Sequence, residues 1–310
     1  MAGTDELFAG SIPEIYDRYL VPLIFEPYAL DLAKRVQKLD PRYVLETAAG
    51  TGVLTRAMAA RLSNHARIFA TDLNQPMLDR ARTRQTDDAR IDWRQADALN
   101  LPFEDRHFDV VTCQFGVMFF PDKVRGYGEA RRVLKPGGQF IFNVWDKISE
   151  NEFPDVVTEA LAGFFPSDPP RFLARTPHGY HDSNRIREEL AAAGFANVSV
   201  ETVDSVSKAS SALDAAIAFC QGTPLRNEIE ARDASRLKDA TNYAADALER
   251  RFGSGPIEGR IRALVITAFA KRDRGGDSVR ALSEAWLSEV WRSSRWLRAA
   301  VRETARTYAR

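Results

Sequence analysis

Over most of its first half, the chain alternates short apolar runs with segments that have helical spacing. The apolar runs predict five strands, at residues 43–47, 67–71, 91–94, 108–113 and 139–145. Helical spacing between them predicts helices at residues 51–62, 75–84 and about 123–134. Alternation of this kind is typical of a parallel sheet covered by helices on both faces.

The pattern becomes less regular after Trp145, where prolines interrupt the chain repeatedly. A helix is predicted at residues 183–193, ended by Gly194, and a sixth strand at residues 195–203. Residues 210–252 are mainly helical in spacing, and a further strand is predicted at residues 261–270. We therefore expect a sheet whose last two strands are separated by a helical insert.

These elements predict one large domain over residues 1–271, with four parts. They are an N-terminal cap (1–40), a core (41–146), a second cap with the insert (about 147–255) and the last strand (261–270). Within the N-terminal cap, Pro22 and Pro27 are expected to break the chain into short helical pieces. Residues 272–310 follow as a basic amphipathic extension, which docks on a partner or a membrane surface, packs on its own domain, or is a read-through extension without function.

Composition excludes several classes of protein. The 310 residues carry 43 basic and 43 acidic side chains, and this zero net charge argues against a general nucleic-acid-binding protein. Because the chain has only two cysteines and four histidines, we expect neither a disulfide framework nor a structural zinc site. Neither a signal peptide nor an apolar run long enough to span a membrane is visible, so a cytoplasmic location is expected.

A loop of small residues follows the first predicted strand, in the segment VLETAAGTG. Glycines let a ligand approach the backbone, and the helix that follows offers unpaired N–H donors. A nicotinamide-dependent oxidoreductase would be expected to carry a third glycine at position 55, which is Thr55 here. The residues of a P-loop are also missing, so an adenosyl ligand without phosphates is the favoured alternative.

Polar side chains follow the next three strands. Asp72 ends the second strand and could accept hydrogen bonds from both hydroxyls of a ribose. Asp97 follows the third strand and could accept from an adenine amino group, while Gln114 follows the fourth. Because the carboxyl ends of parallel strands meet at one edge of a sheet, these residues are expected to share a site.

Over residues 40–146, the chain resembles the class I S-adenosylmethionine-dependent methyltransferases, in the broad group of the ubiquinone/menaquinone-biosynthesis C-methyltransferases. Four segments carry the resemblance in order: VLETAAGTG, IFATDLNQPML, RQADALNLPFEDRHFDVVTCQFGVMFF and EARRVLKPGGQFIFNVW. The fold that follows is α/β: a doubly wound, Rossmann-like, seven-stranded sheet, mostly parallel with the last strand antiparallel, plus a helical cap and insert.

The resemblance also implies residue roles toward S-adenosylmethionine. Glu46 would lie near the methionyl end, and Asp72 would bind the ribose. Leu73 and Met77 would pack on the adenine, and Asp97 and Ala98 would contact its polar edge. The remaining expected cofactor residues are Ala48, where many relatives carry glycine, Gly50, Thr51, Gly52 and Gln114.

The expected function is direct in-line methyl transfer, without a metal, to a small organic or lipophilic acceptor. A protein that binds the cofactor without catalysis is the alternative. The acceptor pocket is expected between the N-terminal segment, the loop after Phe115 and the insert of about residues 204–255. No nucleic-acid partner is expected, and a homodimer is left open.

No catalytic residue is identified from the sequence, although His178 and His181 are candidates for a general base. The other interpretation of their segment is a loop that caps the next helix through Asp182 or Ser183. Tyr16 and Tyr19 either close over the cofactor or pack in the core.

Overall fold

The structure is a computed structural model that describes Phe8, residues 10–85 and residues 87–270. The predicted basic extension, 272–310, lies outside the described residues. Seven strands form one sheet: β1 (Tyr43–Glu46), β2 (Arg67–Asp72), β3 (Ile91–Gln95), β4 (Phe108–Gln114), β5 (Leu134–Trp145), β6 (Phe195–Ala209) and β7 (Ile257–Ala270).

The strand order is β3-β2-β1-β4-β5-β7-β6. Strands β1 to β5 pair in parallel, whereas β7 is antiparallel to both of its neighbours, β5 and β6. The predicted fold, with its antiparallel last strand, is confirmed. The order reverses direction at β1 and β4, so the carboxyl ends of these two strands open a crevice at the switch point.

Helices cover both faces of the sheet. The described helices are α1 (Ile12–Ile15), α2 (Glu26–Gln37), α3 (Val53–Ala59), α4 (Gln75–Arg84), α5 (Lys123–Val133), α6 (Glu152–Phe164), α7 (Phe172–Arg175), α8 (Ser183–Ala192), α9 (Ala212–Gln221), α10 (Leu225–Asp233) and α11 (Leu237–Phe252). Helices α9 to α11 form the predicted insert between β6 and β7. No helix within the described residues is long and apolar enough to cross a membrane.

Two apolar cores lie against the sheet. Val44 packs with residues of α2 and α3, such as Leu32 and Met58. Leu45, the next residue of β1, belongs to the larger core, together with Tyr127 of α5. Neighbouring residues of a strand face opposite sides, so both faces of β1 are buried, as expected for a central parallel strand.

The N-terminal cap is more continuous than the sequence predicts. Between α1 and α2, residues Tyr16–Phe25 form a π-helix of ten residues, here called the π segment, which contains Pro22. The wider turn, in which the Glu26 N–H donates to the Val21 carbonyl, accommodates the proline that would break an α-helix. Pro27 lies in the first turn of α2, where no intrahelical N–H is needed. The expectation that these prolines break the cap is wrong.

The last two strands are longer than predicted. β6 runs on to Ala209, and β7 begins at Ile257, four residues before the predicted start at Ile261. The added parts pair with each other, with Ser205 opposite Ile261 and Ala209 opposite Ile257. Pairing between the two strands therefore sets their length, because much of this part of β6 is exposed and has no apolar run.

Candidate functional site

A cavity of about 390 Å³ opens at the carboxyl edge of the sheet, beyond β1, β2, β3 and β4. Its size falls within the range of small-molecule sites. Eight of the predicted cofactor residues line it: Ala48, Gly50, Asp72, Leu73, Met77, Asp97, Ala98 and Gln114. The other lining residues are Phe8, Tyr16, Asn74, Ala96, Leu99, Phe115, Gly116, Phe119, Phe120 and Pro121.

The loop after β1 has a left-handed backbone at three positions, with φ of +51° at Ala48, +57° at Gly50 and +78° at Gly52. Gly52 is the N-cap residue that precedes α3, and a Cβ there would lie 2.6 Å from the ring of Trp93. The loop is therefore folded tightly beneath the cavity. Ala48 occupies a left-handed conformation that glycine adopts more readily than alanine.

Asp72 joins this loop to the end of β2. One carboxylate oxygen accepts the Gly50 N–H at 2.8 Å, and the other accepts the Asn74 N–H at 2.8 Å. The side chain is 7% exposed, and burial raises its pKa even though these hydrogen bonds act in the opposite direction. Each carboxylate oxygen can accept a further hydrogen bond, so Asp72 can still bind paired hydroxyls of a ligand in the cavity.

The side chains beyond Asp72 suit a flat, partly apolar ring. Leu73 is 42% exposed, although it is apolar, and Met77 of α4, which also lines the cavity, is buried. Asp97 is exposed, and its carboxylate accepts the Leu99 N–H at 2.8 Å. An adenine would find apolar contacts and a carboxylate together here.

Three predicted cofactor residues do not line the cavity: Glu46, Thr51 and Gly52. Glu46 is 1% exposed and accepts the Thr55 hydroxyl at 2.5 Å. Burial raises the pKa of Glu46 to about 8, while the hydrogen bond from Thr55 acts to lower it. Because residues two apart share a face of a strand, Glu46 lies on the side of Val44, below the loop.

The two candidate histidines also lie outside the cavity lining. The His178 ring is buried, with Nδ1 2.9 Å from the Asp146 carbonyl, and burial lowers its pKa to about 4. His181 Nδ1 lies 2.8 Å from the His178 carbonyl. Asp182 accepts from the backbone N–H of Asn184 and Arg185 and caps α8. The geometry favours the structural interpretation of this segment.

Two of the three expected pocket walls are present. The N-terminal segment contributes Phe8 and Tyr16, and the loop after Phe115 contributes Phe119 to Pro121. None of the described lining residues belongs to the insert of about 204–255. The insert contacts the π segment from behind, where a Cβ on Gly222 would lie 3.3 Å from the Tyr16 backbone nitrogen. The N-terminal segment therefore separates the insert from the cavity, which the sequence did not reveal.

Among the described residues, the cavity lining carries negative charge only. Its lining contains two carboxylates, Asp72 and Asp97, and among the described residues it includes no Lys, Arg or His. A pyrophosphate would face these carboxylates without a cationic partner, whereas a cationic ligand would be attracted to them.

Comparisons with known proteins agree with this geometry. A model of the methyltransferase-domain family matches residues 45–142. Demethylmenaquinone methyltransferase of Clavibacter sepedonicus is 32% identical over 170 residues, which are 50% of this chain and 66% of that protein. The enzyme of the same name from Lactobacillus johnsonii is 31% identical over 168 residues, 50% of this chain and 68% of that protein. The chain belongs to the class I S-adenosylmethionine-dependent methyltransferases.

Within that family, the chain is of the group that includes the ubiquinone/menaquinone biosynthesis C-methyltransferases. It covers 66% of the Clavibacter relative, slightly less than two thirds. A solved structure of phosphoethanolamine N-methyltransferase 2 from Haemonchus contortus superimposes with a TM-score of 0.53 at 17% identity, over 84% of this chain and 57% of that one. The likeness to this solved structure shows a shared fold and nothing about the substrate, because the identity is only 17%.

Proposed function

We propose that the protein transfers a methyl group from S-adenosylmethionine to a small organic or lipophilic acceptor. The observation that carries the proposal is the cavity at the switch point, which combines two carboxylates with apolar walls and lacks a cationic side chain among its described lining residues. This combination suits a cationic adenosyl ligand and disfavours a dinucleotide. Family membership supports the same conclusion.

In this proposal, the residues along the sheet edge hold the cofactor in sequence. Asp97 and Ala98 bind the polar edge of the adenine, while Leu73 and Met77 pack on its ring. Asp72, which the Gly50 N–H orients, binds the ribose hydroxyls. The left-handed loop after β1 lets the ligand lie close to the backbone.

The sulfonium of S-adenosylmethionine is already an activated leaving group, so the protein must chiefly align the acceptor and exclude water. The aromatic loop after β4 suits this task. Phe119 and Phe120 line the cavity beside Pro121, and Phe119 stacks on Phe172 of α7, with ring centres 6.3 Å apart. These walls favour an apolar acceptor. The quinone substrates named for the relatives are acceptors of this kind.

Calorimetry with the full chain tests the first step. We expect S-adenosylmethionine and S-adenosylhomocysteine to bind and NAD not to bind. Binding of NAD without a response to either adenosyl ligand would contradict the proposal.

Incubation with methyl-labelled cofactor tests the second step, with a reduced demethylmenaquinone, small phenols and amines offered as acceptors. Label transferred to any of them, and lost in the Asp72→Ala variant, supports the proposal. Cofactor binding without transfer to any acceptor would favour the non-catalytic alternative. A cytoplasmic location, a homodimer and the domain limits remain predictions.

A further inference from the structure

Tyr16 lines the cavity, and its hydroxyl makes no hydrogen bond with the part of the chain that the structure describes. A Cβ on Gly50 would lie 3.9 Å from the Tyr16 hydroxyl oxygen, so the phenol reaches the loop after β1. Its ring stacks on Phe25, with centres 5.1 Å apart, and meets the edge of Phe8 at 6.0 Å.

The residue next to Tyr16 fixes the π segment in place. Asp17 is 4% exposed, and its carboxylate meets the guanidinium groups of Arg80 at 2.9 Å and Arg84 at 3.2 Å. Arg56 of α3 lies 3.9 Å away and donates to the Thr51 carbonyl at 2.6 Å. Helices α3 and α4 both begin directly after the cofactor loops, so this cluster joins the π segment to those loops. These contacts anchor the backbone next to Tyr16 beside the loop that contains Gly50.

The strand order indicates at which end of the cavity Tyr16 lies. Asp97 follows β3, Asp72 follows β2 and Gly50 follows β1, while Phe115 follows β4. Through Phe25, which packs 5.5 Å from Phe115, Tyr16 belongs to the β1–β4 side. An adenosine with its base beside Asp97 and its ribose on Asp72 would direct its 5′ substituent toward Tyr16.

Resting on the function proposed above, we propose that the Tyr16 hydroxyl donates a hydrogen bond to the carboxylate at the methionyl end of the cofactor. The described lining includes no cationic side chain for that carboxylate, and Tyr16 supplies its only side-chain hydroxyl. Burial, reinforced by Asp72 and Asp17, raises the pKa of Tyr16, so the phenol keeps its proton and remains a donor. The cavity thereby selects adenosyl ligands that carry the amino-acid portion.

Three ligands separate this contact from the rest of the site. S-adenosylmethionine and S-adenosylhomocysteine carry the carboxylate, whereas 5′-methylthioadenosine lacks the amino-acid portion. In Tyr16→Phe, affinity for the first two should fall roughly tenfold, the loss expected for a hydrogen bond to a charged group. Affinity for 5′-methylthioadenosine should stay within about twofold of wild type. The measurement is isothermal titration of the full chain.

Two variants serve as controls. Tyr19→Phe removes a hydroxyl from the same π segment but outside the cavity lining, and should leave all three affinities unchanged. Asp72→Asn alters the site for the ribose, which the three ligands share, and should weaken all of them by similar factors. Tyr16→Phe keeps the stacked ring and removes no hydrogen bond to a described residue, so we expect a melting temperature close to wild type.

Tyr16→Phe affinities for all three ligands within twofold of wild type would overturn the inference. Equal weakening of all three ligands would also overturn it, since the phenol would then contact the adenosine. Wild-type protein that binds none of the three would instead overturn the proposed function on which the inference rests.

Discussion

Glu46 is a carboxyl group buried beneath the cofactor loop, and its burial should make the stability of the protein depend on pH. The side chain is 1% exposed, and its pKa is raised from 4.5 to about 8, chiefly by burial. A carboxyl group with a raised pKa in the folded state gives its full stability only below its unfolded pKa, and loses it as pH rises through about 8. At 1.36 kcal/mol per pKa unit, the loss is about 5 kcal/mol at most, and relaxation around the charge reduces it.

Glu46→Gln should remove this loss, because the amide stays neutral and its oxygen can still accept the Thr55 hydroxyl. The variant and wild type should be similarly stable near pH 4.5, and the variant should be several kcal/mol more stable at pH 9. Urea denaturation at both pH values measures this difference. A stability difference that stays constant between these pH values would refute the reasoning.

Glu129 is a control of opposite sign. Its hydrogen bonds with Arg132, at 2.8 Å, outweigh burial and lower its pKa. The stability it contributes is present above its unfolded pKa and is lost as pH falls through the lowered folded value. Glu129→Gln should therefore destabilise the protein at neutral pH, and the difference from wild type should shrink in acid.

Three further outcomes are expected. Asp72→Ala should weaken cofactor binding by about 1.5–3 kcal/mol in calorimetry; unchanged affinity would leave Asp72 as a loop support only. Gly52→Ala should cost about 2 kcal/mol or more in urea denaturation, because a Cβ there lies 2.6 Å from Trp93 at a φ of +78°. The control Gly128→Ala, in open space on α5, should stabilise by about 0.5–1 kcal/mol, and equal effects would contradict the packing argument. Truncation after Lys271 should leave cofactor affinity within about twofold, and a folded but non-binding product would be the contrary result.

Much of the cofactor side of the site could be predicted without coordinates. Strands β1, β2 and β4 are largely buried, and a buried strand leaves an apolar run that marks its end to within a residue or two. β3 lies at the edge of the sheet and is only partly buried. Because parallel strands end at one edge, the positions of Asp72, Asp97 and Gln114 after successive strands were enough to bring them to one cavity. The sequence alone also showed that Thr55 stands where a dinucleotide-binding motif would have its third glycine.

Side-chain direction was harder to predict. Glu46 and Ala48 lie two residues apart near the end of β1, yet only Ala48 lines the cavity. The strand places Glu46 on the side of α3, and the left-handed turn at Ala48 then redirects the chain. A sequence motif gives the order of residues along the loop, whereas the local backbone conformation decides which of them face the ligand.

The sequence by itself determined the fold class, the order of the strands along the chain and the carboxylates at the sheet edge, because each depends on local periodicity or on the end of a strand. It did not reveal α6, whose Pro154 lies in the first turn, where a helix tolerates proline. Only the tertiary structure decided that β6 and β7 lengthen each other, that the cap continues through Pro22, and that Tyr16 reaches the cavity while the insert does not. These features depend on contacts between segments far apart in the chain. Asp17, for example, is held by Arg80, 63 positions away. Such contacts leave no periodic trace in the sequence, since their free energy comes from packing and charge pairing that exist only once the chain has folded.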